Sequence, residues 1–146
     1  MQNLRFKISI NAPAEKVWKC LWELENYTKW NSVFGSGNYY KTDSFLQGNK
    51  IHLLTPGGDG MYSILEKIVE NELLVFKHLG ELQNFEEQPI YENTQEWTNA
   101  LESYELKSLG KETELTVQVE TVEQYVDHMN KTFPMALQDL KKLAEN

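Results

Sequence analysis

The feature that most constrains this chain is its last stretch. Tyr125, Val126, Met129, Phe133, Ala136, Leu137, Leu140 and Leu143 recur at intervals of three and four, the period of a long helix with one apolar stripe. Such a stripe must be buried, and the segments before it read mostly as strands, so the helix has a sheet to lie on. A single helix on one face of an antiparallel sheet is an α+β arrangement. Pro134 falls inside the stripe and predicts a kink, because proline removes a donor and crowds the carbonyl four residues back.

The other end of the chain opens with Leu4, Phe6, Ile8 and Ile10 alternating with Arg5, Lys7 and Ser9, a strand with one buried face. Asn11 to Glu15, "NAPAE", offers a capping residue, a proline suited to a first turn and a carboxylate at the positive end of a helix. Ala14, Val17, Trp18, Leu21 and Leu24 then form a helical stripe ending near Asn26, with Trp22 one turn beyond Trp18. "NYTKWN" fits one further turn that tucks Tyr27 and Trp30 back.

From Ser36 onward, short runs rich in Val, Ile, Tyr and Phe are separated by Gly, Asn and Asp, the texture of an antiparallel meander. Strands are predicted near 37–43, 49–55, 60–70, 72–79, 98–108 and 112–121. With the first strand they make a sheet of about seven. The stretch between His78 and Trp97 is long for a hairpin connection, and such loops are often functional. If a curved sheet wraps the terminal helix, the space between them is filled by large side chains or by a ligand. Trp18 and Trp22 would wall that space and Trp30 would close its end.

Length and charge narrow the classes. A chain of 146 residues predicts one domain, residues 1–146. The net charge is −8, and from His78 to Leu106 there is no Lys or Arg but there are seven glutamates. That field repels phosphate backbones and anionic lipid, so neither nucleic acid nor membrane insertion is expected. Cys20 is the one cysteine and reads as a packed small residue. The first residues lack the pattern of a secretion signal, which predicts a cytoplasmic protein and leaves the sequons at Asn26 and Asn130 without chemistry.

Specific motifs are few. "TPGGDG", Thr55 to Gly60, lacks GKS/T and precedes a strand, so it reads as a hairpin turn and not a phosphate cradle. His52, His78 and His128 have no metal-ligand spacing, and no metal or cofactor is called for. A Ser-His-Asp triad lacks a nucleophile-elbow signature, and no residue is assigned a catalytic role. Parity along the strands puts Glu102 with Ala100, Tyr104 and Leu106, Glu66 with Tyr62, Ile64 and Ile68, and His78 with Leu74 and Phe76. All three then face the apolar side, unless bulges or strand ends turn them outward. An inward carboxylate needs a partner such as His78, a tyrosine or a ligand donor.

"INAPAEKVWKCLWELENYTKWN", "GDGMYSILEKIVENELLVFKHLG", "ALESYELKSLGKETELTVQVE" and "FPMALQDLKKLAE" resemble the START-like SRPBCC superfamily, in the branch of the heat-shock protein 90 ATPase activator homologues. The resemblance implies the helix-grip fold, a curved sheet gripping a C-terminal helix over an apolar cavity. Relatives bind lipids, polyketides, hormones or hydrophobic metabolites, and some are cyclases, hydrolases or co-chaperones. A second domain like the N-terminal one of the eukaryotic co-chaperones is not seen here, so a full activator role is not expected.

Three functions follow as expectations. The first is binding of a small hydrophobic molecule, a lipid, polyketide-like or aromatic metabolite, with Trp18, Phe76, Tyr104, Phe133 and Leu137 as walls. Met129 would lie on the same helix face, His78 and Glu102 would be polar anchors, and the loop with Phe85, Ile90, Tyr91 and Trp97 would be a lid. The second is docking of residues 81–96 on a basic protein surface or chaperone. The third is a cyclase- or hydrolase-type enzyme using the same cavity.

Overall fold

The chain runs β1 (Gln2–Ile10), α1 (Ala14–Trp22), α2 (Leu24–Trp30), β2 (Tyr39–Lys41), β3 (Lys50–Leu54), β4 (Gly60–Val69), β5 (Leu73–Gln83), β6 (Glu86–Glu87), β7 (Leu101–Leu109), β8 (Glu112–Thr121) and α3 (Val126–Glu145) in a computed structural model that describes residues 1–90 and 96–146. All pairings are antiparallel, in the order β1-β8-β7-β5-β4-β3-β2, with β6 added beside β5. The result is α+β, a curved sheet with a long C-terminal helix, as in the helix-grip fold. The eighth strand is β6, a two-residue piece in the connection that the sequence leaves without periodicity.

The first helix departs from expectation in detail. Asn11 does not cap it. Pro13 is itself the N-cap, extended at ψ 154°, and its carbonyl accepts from the amides of Lys16 and Val17. The expected single turn after Asn26 is a separate helix, α2, because Glu23 is extended at ψ 131° and breaks the chain's helical course. Pro134 stands inside α3 on the exposed side without ending it.

Helix α3 is held to the sheet and to α1 by its apolar stripe and by polar ties. Phe133 stacks on Phe6 of β1 with ring centroids 5.0 Å apart. Lys141 Nζ donates to the Ser9 carbonyl at 2.7 Å, and the Asn11 amide donates to Glu145 at 2.7 Å.

Two bulges decide which side chains face α3. Leu65 pairs with Phe76 but Lys67 pairs with Val75, so Glu66 is an extra residue; the register also slips between Tyr62 and Ser63, where Leu79 is extra on β5. The parity expectation for Glu66 is thereby overturned. Its side chain is exposed and lies 3.3 Å from Lys77 Nζ, while Ser63 and Leu65 are fully buried. After the bulge, Ile68 returns to the core side. Tyr62 goes to the other face, in a small cluster with Leu54 and Leu82.

Trp22 is the centre of the main core. Its ring meets Tyr104 at 4.9 Å, Phe76 at 5.5 Å, and Trp18, Trp30 and Phe45 each at 6.3 Å. Trp30 donates its indole N–H to the Leu21 carbonyl at 3.0 Å, whereas the indole nitrogen of Trp22 is buried without a partner among the described residues. Trp18, Trp22 and Trp30 thus pack together against the core, with Trp22 where the rings of Phe76 and Tyr104 converge.

Candidate functional site

A chain of polar side chains crosses the inner face of the sheet. Phe76 on β5 is opposite Glu102 on β7, which puts His78 diagonally across from Glu102. His78 Nε2 lies 3.0 Å from Glu102 Oε1, and its Nδ1 lies 2.7 Å from Ser63 Oγ on β4. The Tyr104 hydroxyl donates to Glu102 Oε2 at 2.5 Å. His78 bridges Ser63 and Glu102 in either protonation form: Nε2 donates to Glu102, while Nδ1 accepts from the Ser63 hydroxyl in the neutral ring and donates to it in the protonated one.

Burial alone would raise the Glu102 carboxyl, but the hydrogen bond and charge of His78, together with the Tyr104 hydroxyl, hold it below the ordinary carboxylate range. Glu102 is therefore an anion at neutral pH. Burial and then the Glu102 charge push the Tyr104 hydroxyl well above its ordinary value, so it stays a donor. Tyr27 is raised too, chiefly by burial and then by Glu102. Ser63 is fully buried, which leaves it no approach to a substrate; the Ser63-His78-Glu102 order has the residue types of a hydrolytic triad without an accessible nucleophile.

Glu102 stands where two hollows adjoin. The outer one, a cleft of about 790 Å³, is lined by His78, Glu81, Trp97, Ala100, Val119 and Tyr125 among others; the inner one, about 220 Å³, is lined by Tyr27, Asn31, Phe34, Asn38, Tyr104 and Phe133 among others. Gly60, Met61, Glu102 and Met129 line both. The two lobes thus meet between a methionine of β4, a methionine of α3 and the anchored carboxylate. Thioether side chains adapt their shape at little cost, which suits a lining shared by two hollows.

Of the residues expected to form a ligand site, His78, Glu102, Tyr104, Met129 and Phe133 line one or both lobes. Trp18, Phe76 and Leu137 line neither. Phe76 and Leu137 are buried in the core, Phe76 under Trp22 and stacked at 6.2 Å on the His78 ring, and Trp18 is half-buried at the edge of Trp22. In the expected lid, Phe85 lies over Gly58, Trp97 lines the outer lobe, Ile90 is exposed, and Tyr91 lies outside the described residues. Sequence reasoning missed Ser63, Met61 and Glu81, whose facing depends on the bulges. Gly80 was the available signal, since glycine inside a strand marks a bulge or a close approach, and here Tyr62 lies directly over it.

Comparison with known proteins bears on what such a cleft belongs to. Residues 11–145 match the family described as Activator of Hsp90 ATPase homolog 1-like protein. The chain belongs to this family. Solved structures share the fold across almost the whole chain. The Aha1 dimer from Colwellia psychrerythraea is 21% identical with a TM-score of 0.72, covering 99% of this chain and 97% of that one. Protein MLL2253 from Mesorhizobium loti is 13% identical at 0.74, over 97% and 96% of the two chains. CalU16 from Micromonospora echinospora is 15% identical at 0.68, over 97% and 75%. Curated proteins give no match by sequence. Among the described residues no helix is long and apolar enough to cross a membrane.

Proposed function

We propose that this member of the Hsp90-activator-like family is a binding domain, one unit over 1–146, for a small hydrophobic molecule held between sheet and C-terminal helix. One observation carries the reading: a carboxylate, Glu102, is fixed by His78 and Tyr104 at the junction of two partly apolar lobes. A ligand buries its apolar body against Met61, Met129, Tyr104 and Phe133 and sets a donor group on Glu102. Trp97 lines the outer lobe and would be its cover. A cytoplasmic location belongs to the same proposal; it is supported by the lone Cys20, whose thiol burial pushes up and keeps unreactive.

Docking of the 81–96 segment on a basic partner is the weaker reading. Its support is the family's name, but Glu87, one of its carboxylates, is already taken by Lys50 and His52 at 3.0 and 2.8 Å. The deciding experiment is native mass spectrometry of freshly purified protein followed by extraction. The expected result is one apolar molecule per chain, lost in Glu102→Gln. A protein that emerges empty and shows no methyl shifts at Met61 or Met129 with the extract of its host would refute the binding reading.

A further inference from the structure

Resting on the cleft as the ligand site, we infer that its ligand is an amine: an apolar body carrying one protonated nitrogen, not a fatty acid, a phosphate ester or a neutral alcohol. The charge of the lining is the argument. Glu102 gives one oxygen to His78 and the other to Tyr104, and each oxygen keeps a second acceptor site for the cleft. Glu81 pairs with Met61 across the β4–β5 ladder and so shares its inner face, and its side chain has no hydrogen bond or ion pair among the described residues. Asp59 stands at the rim with only a long 3.4 Å contact from the Asn84 amide. Glu120 contributes less, because its carboxylate is turned to the Leu101 amide at 2.7 Å.

Among the described residues only histidines oppose these groups. No Lys or Arg lines either lobe among the described residues, and the sequence has none from His78 to Leu106, a stretch that includes residues 91–95. The basic side chains present are His78 and His128. Both ring nitrogens of His78 are engaged, by Ser63 and Glu102, so a proton there balances Glu102 alone and leaves Glu81 and Asp59 uncompensated. His128 lies on the exposed rim, its Nδ1 3.5 Å from the Thr132 hydroxyl. An anionic head group would enter this field against repulsion and find no counter-charge, a costly burial. A neutral head group would leave Glu81 unpaired. An ammonium pairs with the carboxylates, and the same lining holds Trp97 and Tyr125, aromatic residues of the kind that attract a cation.

The test compares head groups on fixed bodies: 2-(1-naphthyl)ethylamine, 2-(1-naphthyl)ethanol and 1-naphthylacetate, and the decyl amine, alcohol and carboxylate. Each is titrated into the protein at neutral pH by calorimetry and followed at the Met61 and Met129 methyl signals. The expected result is saturable one-to-one binding that moves both methyls, with the amine of at least one series about tenfold or more tighter than its alcohol and its carboxylate. Glu81→Gln should lower the ratio of amine to alcohol affinity several-fold. If alcohol or carboxylate binds as tightly as amine while moving the same methyls, the amine assignment is wrong and the cleft reading stands. An amine preference unaffected by Glu81→Gln, or without methyl shifts, assigns the attraction to the protein's overall charge and also overturns the inference. If no probe of either series binds, the cleft reading itself fails and takes the inference with it.

Discussion

His78 and Glu102 stand 3.0 Å apart across the ladder of β5 and β7, and the carboxylate oxygen that His78 leaves free accepts the hydroxyl of Tyr104. Replacing Glu102 by Gln keeps one acceptor and points an amide at the other donor. The expected loss at neutral pH is about 1–3 kcal/mol, the cost of leaving a buried polar group without its partner. The sign of its pH dependence follows from linkage. The Glu102 carboxyl is lowered by folding from 4.5, so the unfolded chain binds more protons just below that value. The stabilisation is complete above 4.5 and is lost as pH falls through the lower folded value. Urea titrations of both proteins should therefore converge in acid, and a gap that stays constant down to pH 3 would show that Glu102 stabilises by shape alone.

Glu66 supplies the contrast. It is an exposed bulge residue facing Lys77 at 3.3 Å, and exposed pairs of this kind contribute little. Glu66→Gln should change stability by less than about 0.5 kcal/mol and leave ligand affinity unaltered. A loss as large as that of Glu102→Gln in the same denaturation assay would contradict the placement of Glu66 on the outer side.

The difference between these two glutamates also shows what the sequence could reveal. Strict alternation at Leu115, Val117 and Val119 and the 3–4 spacing from Met129 to Leu143 mark elements whose whole length obeys one period, and these are where expectation and structure agree. Glu102 was legible because β7 pairs without a slip from Glu102 to Leu109. Glu66 was not, because an extra residue in a strand reverses the facing of everything beyond it and leaves no mark in composition. The same slips hid Ser63 and Glu81. Trp18 lines neither lobe for another reason: a helical stripe says which side is apolar, not which of its residues reaches a hollow.

Gly60 tests how tightly the junction of the lobes is built. A methyl group placed on it would stand 1.9 Å from the Leu53 carbonyl oxygen, a backbone atom of the neighbouring strand, and its φ is +155°. Strand β3 would have to move away. Gly60→Ala should cost about 3 kcal/mol, the upper part of the range for overpacking, and should weaken pairing of Leu53 and Leu54. Thermal denaturation within a degree or two of the parent would mean that the β3–β4 turn yields more readily than its geometry implies.

Phe133 joins core and cleft. It stacks on Phe6, meets Phe34 at 4.9 Å and lines the inner lobe while remaining 3% exposed. Phe133→Ala should destabilise by about 3–5 kcal/mol and enlarge the inner lobe. Added apolar probes of benzene size should recover part of the lost stability by filling the new space; failure of any such probe to raise the denaturation midpoint would indicate that α3 collapses onto the sheet instead.

The last prediction concerns the start of the acidic segment. Glu87 reaches Lys50 and His52 on β3 across the outer face, and the backbone beside it is tied twice more, by the Gln88 amide to the Glu81 carbonyl at 2.9 Å and by the Tyr62 hydroxyl to the Gln88 carbonyl at 2.8 Å. Burial raises the Glu87 carboxyl, but the hydrogen bonds and charges of His52 and Lys50 together prevail and lower it. The pair is therefore intact above the ordinary carboxylate range and is lost as pH falls through the lower folded value. Partial exposure keeps its contribution to global stability below about 1 kcal/mol. Its local effect should be larger, because β6 has only two residues and few bonds of its own. In Glu87→Gln, amide exchange at Gln88 should quicken several-fold at neutral pH while that of Leu115 and Val117 stays unchanged, and in the parent protein the protection of Gln88, taken relative to the intrinsic exchange rate at each pH, should fall on acidification. Equal protection of Gln88 in both proteins would mean that the backbone ladder and Tyr62 hold this segment without the ion pair.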